Sequence, residues 1–414
     1  MNLASKKENA ESLQNYLLPL ARSIYRDMPH KHILHRIQIE AKALGELGVT
    51  PLDFIQVQEE LSKLVEAGHI LVTRSSSNSL LCFLTGLSQV NPLPRHTYCP
   101  KCHLFYWGHQ ESEVCPDCQE SLKEDGYDLP FALFLDDFHR DGLELEYSCN
   151  VSKTLSCRQF EILLLPHPLA CFASQLGLDQ SDINVFPSDQ EEIIHCLNPK
   201  YYAKHYLKER LFEHQAFIGL PTLGSPMLQD YLKEYPVQSF DELVNVICLM
   251  RTSNVFRPLT QDVIASRDDL YHFLKRSQLN EEEAVVICRE NRICGSGHLS
   301  PFSQHKLHEA GVNEERIRFL KEAKYLPSKG PVISLLQLEL ILAKIFLEDP
   351  LAYYKAYGAL HPNLFSQIQE DEDFIKRYVE SQNSELETLY SGILDLRERG
   401  FNPQELWKGK KVKS

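Results

Sequence analysis

The segment TYCPKCHLFYWGHQESEVCPDCQE, Thr97 to Glu120, carries four of the chain's twelve cysteines. Cys99 and Cys102, then Cys115 and Cys118, form two C-x-x-C knuckles with twelve residues between them. Each knuckle aims two sulfurs at one point from a tight turn, and two such turns complete the tetrahedron that Zn(II) favours. Pro100 and Pro116 follow the first cysteine of each pair and help to fix the turn. A shell of four thiolates leaves no open position for a substrate, so the expected zinc is structural. His103 and His109 lie in the intervening loop and, with the shell full, are expected to be bystanders.

Outward from this module the pattern changes on each side. Towards the N-terminus, HILHRIQIEAKAL places Ile33, Ile37, Ala41 and Leu44 on one helical face. PLDFIQVQEELSKLVEAG has Pro51 near a helix start, a stripe of Phe54, Val57, Leu61 and Leu64, and Gly68 as a C-cap. HILVT then reads as a strand, RSSSNS as a polar loop and LLCFLTGL as a buried element. Beyond the module, LPFALFL and LELEYS read as strands, and from about Pro168 the pattern is mainly helical. SFDELVNVICLM, SRDDLYHFLKRS, NEEEAVVICREN, NEERIRFLKEAK and SLLQLELILAKIFL each open on a plausible cap and keep helical spacing. No internal repeat of fixed period stands out. The acids of Arg267-Asp268-Asp269 suit a helix N-terminus, where negative charge meets the positive end of the dipole.

Bulk composition narrows the function classes. At 414 residues, 43% hydrophobic and 24% charged, the chain has room for two or three globular domains. SLLQLELILAKIFL carries Gln337, Glu339 and Lys344, which suits a buried helix better than a membrane span. The N-terminal MNLASKKENAESLQ lacks an apolar core, so a cytoplasmic protein with no membrane partner is expected. A net charge of -14 argues against a chain whose main task is to neutralise phosphate backbones. The basic run WKGKKVKS suits a solvated terminus. Eight cysteines outside the knuckles (Cys82, Cys149, Cys157, Cys171, Cys196, Cys248, Cys288 and Cys294) sit among apolar neighbours and read as core thiols.

The flanks of the cysteine cluster carry a resemblance. VNPLPRHTYCPKC, CPDC and LKEDGYDLPFALFL, in that order, closely resemble the segment of PolC-type replicative DNA polymerases of Gram-positive bacteria in which a zinc module interrupts the palm before the first catalytic aspartates. IGLPTLG, SFDELVNV, SRDDLYHFL, EAKYLPSKG and EDPLAYYKAYG look like successive landmarks of the fingers domain. The resemblance implies an α+β chain: a palm-like mixed domain with an inserted four-cysteine module, then a mainly helical fingers-like domain. The expected segments are a palm-like part over 1–96, the zinc module over 97–125, the rest of a reduced palm over 126–167, fingers over 168–360, and a helical extension with a basic tail over 361–414. The implied partners are replisome or other replication proteins, with DNA as a weak one.

Against the family's chemistry the chain departs in four places. Nucleotidyl transfer uses two divalent ions set close together by short carboxylates. The family supplies an Asp-x-Asp pair and a third Asp on a neighbouring strand. Here DGLELEYS puts Gly142 at the first position and Glu144 at the second, while Glu161 matches the third. A glycine offers no oxygen, and a glutamate's extra methylene moves its carboxylate by roughly an ångström, enough to cost on the order of a hundredfold in rate. The family's glycine-rich phosphate loop corresponds to VTRSSSNSL, where Arg74, Ser76 and Ser79 match polar positions but Val72, Ser75 and Asn78 replace glycines. Lys329 matches a lysine expected to face the triphosphate, while a neighbouring histidine position falls on Pro331. In the family a long segment with the thumb separates the second and third aspartates, whereas Glu144 and Glu161 stand only seventeen positions apart.

Three readings stay open. In the first, the chain has lost nucleotidyl transfer, expects no catalytic residue and serves as a binding or regulatory protein in replication. In the second, Glu144 and Glu161 support a residual Mg- or Mn-dependent nucleotidyltransferase. Against that, Glu144 and Glu146 also fit a half-exposed strand with alternating acids. In the third, Phe105, Tyr106 and Trp107 stack on single-stranded nucleic acid, although aromatic residues beside a knuckle commonly form a small core.

Overall fold

The computed structural model describes residues 3–25, 29–66, 78–110, 112–141, 145–147, 160–162, 168–183, 190–206, 217–253, 263–291, 299–323, 325–361 and 384–406. It is a mixed α+β protein, mostly helical, and it divides into two compact units. One comprises Met1–Leu164, Arg251–Ser253 and Asp262–Ser334; the other comprises Leu165–Met250, Asn254–Gln261 and Leu335–Ser414. These units do not follow the contiguous segments expected from the sequence.

The first unit opens with α1 (Leu3–Tyr25), α2 (Lys31–Glu46), α3 (Pro51–Glu66) and the short α4 (Leu80–Leu84). The stripe Ile33, Ile37, Ala41 and Leu44 is buried as the periodicity predicts, against Leu13, Leu17, Phe54 and Leu80. Glu40 lies in the same stripe and has no exposure to water. Its carboxylate accepts hydrogen bonds from Ser79 Oγ (2.8 Å), Leu80 N (2.9 Å), Leu81 N (3.0 Å) and Arg36 Nε (2.5 Å). It thus occupies the N-terminus of α4, where unpaired amides and the dipole favour negative charge. LLCFLTGL, left open as a buried element, is this helix followed by a turn.

Next come β1 (His96–Tyr98), β2 (Phe105–Trp107) and β3 (Lys123–Asp125), an antiparallel sheet in the order β2-β1-β3 that carries the knuckles. LPFALFL, expected to be a strand, is instead the start of helix α5 (Phe131–Asp141). A short apolar run has no periodicity to separate the two states. The helix is favoured because it buries two faces: Phe131 and Phe134 enter the N-terminal core, and Leu133 enters a second core. LELEYS does yield a strand, β4 (Leu145–Tyr147), paired in parallel with β5 (Phe160–Ile162).

The second core of this unit is built by α12 (Arg267–Arg276), α13 (Glu281–Glu290), α14 (Pro301–Glu309) and α15 (Glu314–Glu322). These are two helical hairpins with one plan. Leu274, Leu279, Ala284 and Ile287 of the first correspond at constant spacing to Leu307, Val312, Ile317 and Leu320 of the second, and all are buried. Each turn has a left-handed residue, Gln278 (φ 65) or Gly311 (φ 71), then a hydrogen bond that reaches back to a buried leucine carbonyl: Leu279 N to Leu274 O (3.2 Å) and Val312 N to Leu307 O (2.9 Å). Asn280 and Asn313 then cap the following helices. The correspondence escapes the sequence because buried apolar residues exchange freely for one another.

The second unit holds α6 (Pro168–Gln175), α7 (Gln180–Ile183), α8 (Gln190–Cys196), α9 (Pro199–Tyr206), α10 (Pro226–Glu234), most of α11 (Phe240–Ser253) and of α16 (Lys329–Glu348), α17 (Pro350–Leu360), α18 (Ser384–Glu398) and a 3-10 turn at Pro403–Leu406. Among the described residues α16 is the one helix long and apolar enough to cross a bilayer; most of it is buried, as a core helix is. Two buried acids organise this unit. Glu339 accepts the amides of Thr222 (3.1 Å) and Leu223 (2.8 Å) in the IGLPTLG turn. Asp395 accepts the hydroxyls of Tyr202 and Tyr354 (3.0 Å). Arg399 donates to the carbonyl of Phe346 (2.7 Å) near the end of α16, where a cation complements the dipole.

Glu40→Ala should cost about 3–5 kcal/mol, because it strips the half-buried Arg36 and three buried donors of their acceptor. A urea titration followed by far-ultraviolet circular dichroism measures the loss, and an unchanged midpoint would contradict this account of α4.

Candidate metal and nucleotide sites

The knuckles are built alike. Cys99 N donates to Leu104 O (2.8 Å) and His103 N to Cys99 O (2.8 Å); Cys115 N donates to Glu120 O (2.8 Å) and Gln119 N to Cys115 O (2.9 Å). The residue after the second cysteine, His103 (φ 57) or Gln119 (φ 59), takes the left-handed conformation that reverses the chain. The four sulfurs all lie within 4.8 Å of one another. Cys99 and Cys118 are 3.4 Å apart and Cys102 and Cys115 3.3 Å. Around an ion with bonds of about 2.3 Å, tetrahedral sulfurs stand about 3.8 Å apart, so the donor set fits a tetrahedral metal such as zinc. Burial opposes ionisation of Cys99, but the amides of Cys102 and Lys101 outweigh it and draw the thiol down to about 6. The histidines face elsewhere: His103 Nδ1 donates to Ile24 O (3.0 Å), and His109 Nδ1 meets Glu124.

The module is welded to the N-terminal helices on one side of β2. Phe105 and Trp107, two apart on a strand and so on one face, pack against the N-terminal core. Trp107 stands edge-on to Phe105 (4.8 Å between centroids) and donates from Nε1 to His30 Nδ1 (3.1 Å). The proposed stacking trio is therefore split, with Tyr106 alone on the opposite face of the strand. Beneath the sheet, Asn91 Nδ2 donates to Tyr25 OH (2.7 Å) and to Asp125 (2.7 Å). Burial raises the pKa of Asp125 and lowers that of the adjacent His96, whose Nδ1 donates to Pro94 O (2.8 Å). Gly126 (φ 95) is obligatory here, since a Cβ would meet Pro94 O at 2.4 Å.

Of the expected nucleotide residues, Arg74 and Ser76, with Val72 and Ser75, lie outside the described residues. Ser79 caps α4 and binds Glu40. Lys329 opens α16, its Nζ 2.5 Å from Asp269 and its amide donating to Asp268 (2.8 Å). Asp269 closes a capping box with Ser266, as the helix-terminus reading of Arg267-Asp268-Asp269 anticipated. Sequence reasoning missed Asp268, which is 1% exposed and receives Asn78 Nδ2 at 2.7 Å. Gly142 and Glu144 also lie outside the described residues. The backbone register of β4 and β5 sets Glu146, not Glu144, opposite Glu161.

No family model matches the chain. Individual proteins do. It is 21% identical to the PolC-type DNA polymerase III of Thermotoga petrophila over 97% of its own length and 39% of that protein's. It is 22% identical to the Clostridium perfringens enzyme of the same name over 90% and 34%, and 32% identical to the Bacillus subtilis one over 30% and 9%. The chain thus spans well under half the length of these curated relatives. The Thermotoga alignment occupies 544 positions against the 414 residues of the whole chain, so the relative holds internal sequence with no counterpart here.

Two predictions follow from the weld. Trp107→Ala should cost about 3 kcal/mol in urea unfolding, as the loss of a packed aromatic does. His30 Nδ1 accepts from both Trp107 and His32 N (3.3 Å), roles it holds only when neutral. Burial, then His32 and Lys31, lower its pKa from the ordinary 6.5. The folded state therefore binds the proton less well than the unfolded one, and stability present above 6.5 is lost as the pH falls through the depressed value. In a Trp407→Phe background, acid titration should change Trp107 fluorescence in that window, and His30→Gln should remove the step.

Proposed function

The chain is a diverged relative of PolC-type DNA polymerase III, and from that premise we propose that it has lost nucleotidyl transfer and acts as a binding or regulatory protein in DNA replication. The observation that carries the proposal is the acid set. Where the family places three aspartates, this chain has Gly142, Glu144 and Glu161. Two ions held close together need short carboxylates converging from both strands. The register of β4 against β5 supports the same reading, since the residue opposite Glu161 is Glu146 rather than the aligned Glu144. The sixteen residues between Glu144 and Glu161 leave no space for a thumb, and the internal sequence of the Thermotoga relative that has no counterpart here agrees with that reading.

We assign a reduced palm to the region around the cysteine cluster and fingers to the helical region that follows. The ion in the cluster is zinc with a structural role, and no magnesium is bound for catalysis. Arg74, Ser76, Ser79 and Lys329 are vestiges of a nucleotide pocket. An acidic chain suits protein partners such as replisome components better than phosphate backbones. The split aromatic trio weakens the nucleic-acid reading in the same direction.

Two measurements test this. With labelled dNTP, Mg or Mn and a primed template, the purified chain should give no extension above background; robust extension abolished by Glu144→Gln and Glu161→Gln would establish the enzyme instead. Elemental analysis should find one zinc ion per chain, lost together with the fold of the module in Cys99→Ser. Metal-free protein with an intact module would contradict the assignment.

A further inference from the structure

We propose that the four-cysteine cluster is an oxidation site, at which peroxide replaces the metal by two disulfides across the knuckles, Cys102 to Cys115 and Cys99 to Cys118. This rests on the reading of the cluster as a zinc site and is independent of whether nucleotidyl transfer is lost. Exposure divides the sulfurs into two kinds. Cys99 and Cys115, the first of each knuckle, are buried, whereas Cys102 and Cys118 are partly open to water. Each open cysteine has a buried one from the other knuckle beside it: Cys102 Sγ lies 3.3 Å from Cys115 Sγ, and Cys118 Sγ lies 3.4 Å from Cys99 Sγ. To reach disulfide bonding distance each pair closes by only about 1.3 Å. The pairs are thirteen and nineteen positions apart and nested, so both links can form in one chain. A link within a knuckle spans three positions, and so short a loop constrains the unfolded chain less.

The chemistry balances with peroxide as the oxidant. The open thiolate attacks one peroxide oxygen, the O–O bond breaks, hydroxide leaves with the electron pair, and the sulfur becomes a sulfenic acid. The buried thiolate beside it then attacks that sulfur; the S–S bond forms, the S–O bond breaks and a second hydroxide leaves. Each sulfur is oxidised by one electron, and each peroxide oxygen is reduced by one. The ion, left with two of its four ligands, is released, and the second pair reacts in the same way with a second peroxide. The consequence is structural. Links across the knuckles join the turn between β1 and β2 to the path from β2 to β3, the same segments that the ion joins. Links within each knuckle would leave those segments unjoined. The oxidised module therefore stays braced without its metal.

The test uses the full zinc-loaded chain with hydrogen peroxide as the probe. A chromogenic chelator should count one zinc released for about two peroxides consumed at the cluster. Mass mapping of alkylated peptides should find Cys102 joined to Cys115 and Cys99 to Cys118. In a Trp407→Phe background, Trp107 fluorescence should persist in the oxidised, zinc-free protein and be lost when a chelator strips the reduced protein. Dithiothreitol should abolish it in the oxidised protein, and dithiothreitol with added zinc should restore it. Links within the knuckles, sulfinic acids without links, or zinc retained while other cysteines oxidise would each overturn the proposal. So would equal fluorescence of the oxidised and the stripped reduced protein. Protein that binds no zinc sinks the reading of the cluster and this proposal with it; zinc-loaded protein that fails these tests sinks the proposal alone.

Discussion

A carboxylate shut away from water must find all its partners inside the protein, and this constraint recurs through the structure. Glu40 gathers the amides at the start of α4. Asp268 joins Asn78 to the first amide of α16. Glu339 closes the IGLPTLG turn, and Asp395 collects two tyrosine hydroxyls. Such acids do not drive folding by themselves, since removing an ion from water costs several kcal/mol before any partner repays it. They act as registration pins: only one arrangement of the backbone supplies every donor.

The pins and the catalytic positions have fared differently. In the segment that resembles a catalytic strand, an oxygen ligand has given way to Gly142 and two others to glutamate. A change of that kind bears on metal binding rather than on the packing of the core. Loss of Glu40 or Asp268 would leave buried donors unpaired and would destabilise the fold itself. The pins, the knuckles and the aromatic weld are thus tied to the fold itself, independently of any chemistry at Glu144 and Glu161.

Much of this was legible in the sequence. The knuckles announced themselves by spacing, and most helices of the second half by their caps; Ser239, Ser266, Asn280 and Asn313 all cap as expected, whereas Ser334, read as the start of its helix, lies buried inside α16, which begins at Lys329. Glu40 also left a trace, since it interrupts the apolar stripe of Ile37, Ala41 and Leu44 and so had to be buried with partners. The trace said nothing of which partners. Asp268 left none, because an acid in the first turn of a helix is adequately explained by the dipole. The helix at Phe131 was misread because its two faces serve two cores, and an apolar run that is buried all round looks the same in either state. The paired hairpins were hidden by exchange among apolar residues, which preserves packing and erases identity.

The weld between the knuckles and the N-terminal helices gives the metal module a structural task of its own. Phe105 and Trp107 close the N-terminal core, and the sheet that presents them is three residues deep on each strand. So short a sheet cannot hold its register by hydrogen bonds alone. The knuckles join β1 to β2 through Cys99 and Cys102, and the second pair lies on the path from β2 to β3, so a bound ion would fix all three strands at once. The cluster then braces the core of the first unit through Phe105 and Trp107, whatever the chain binds.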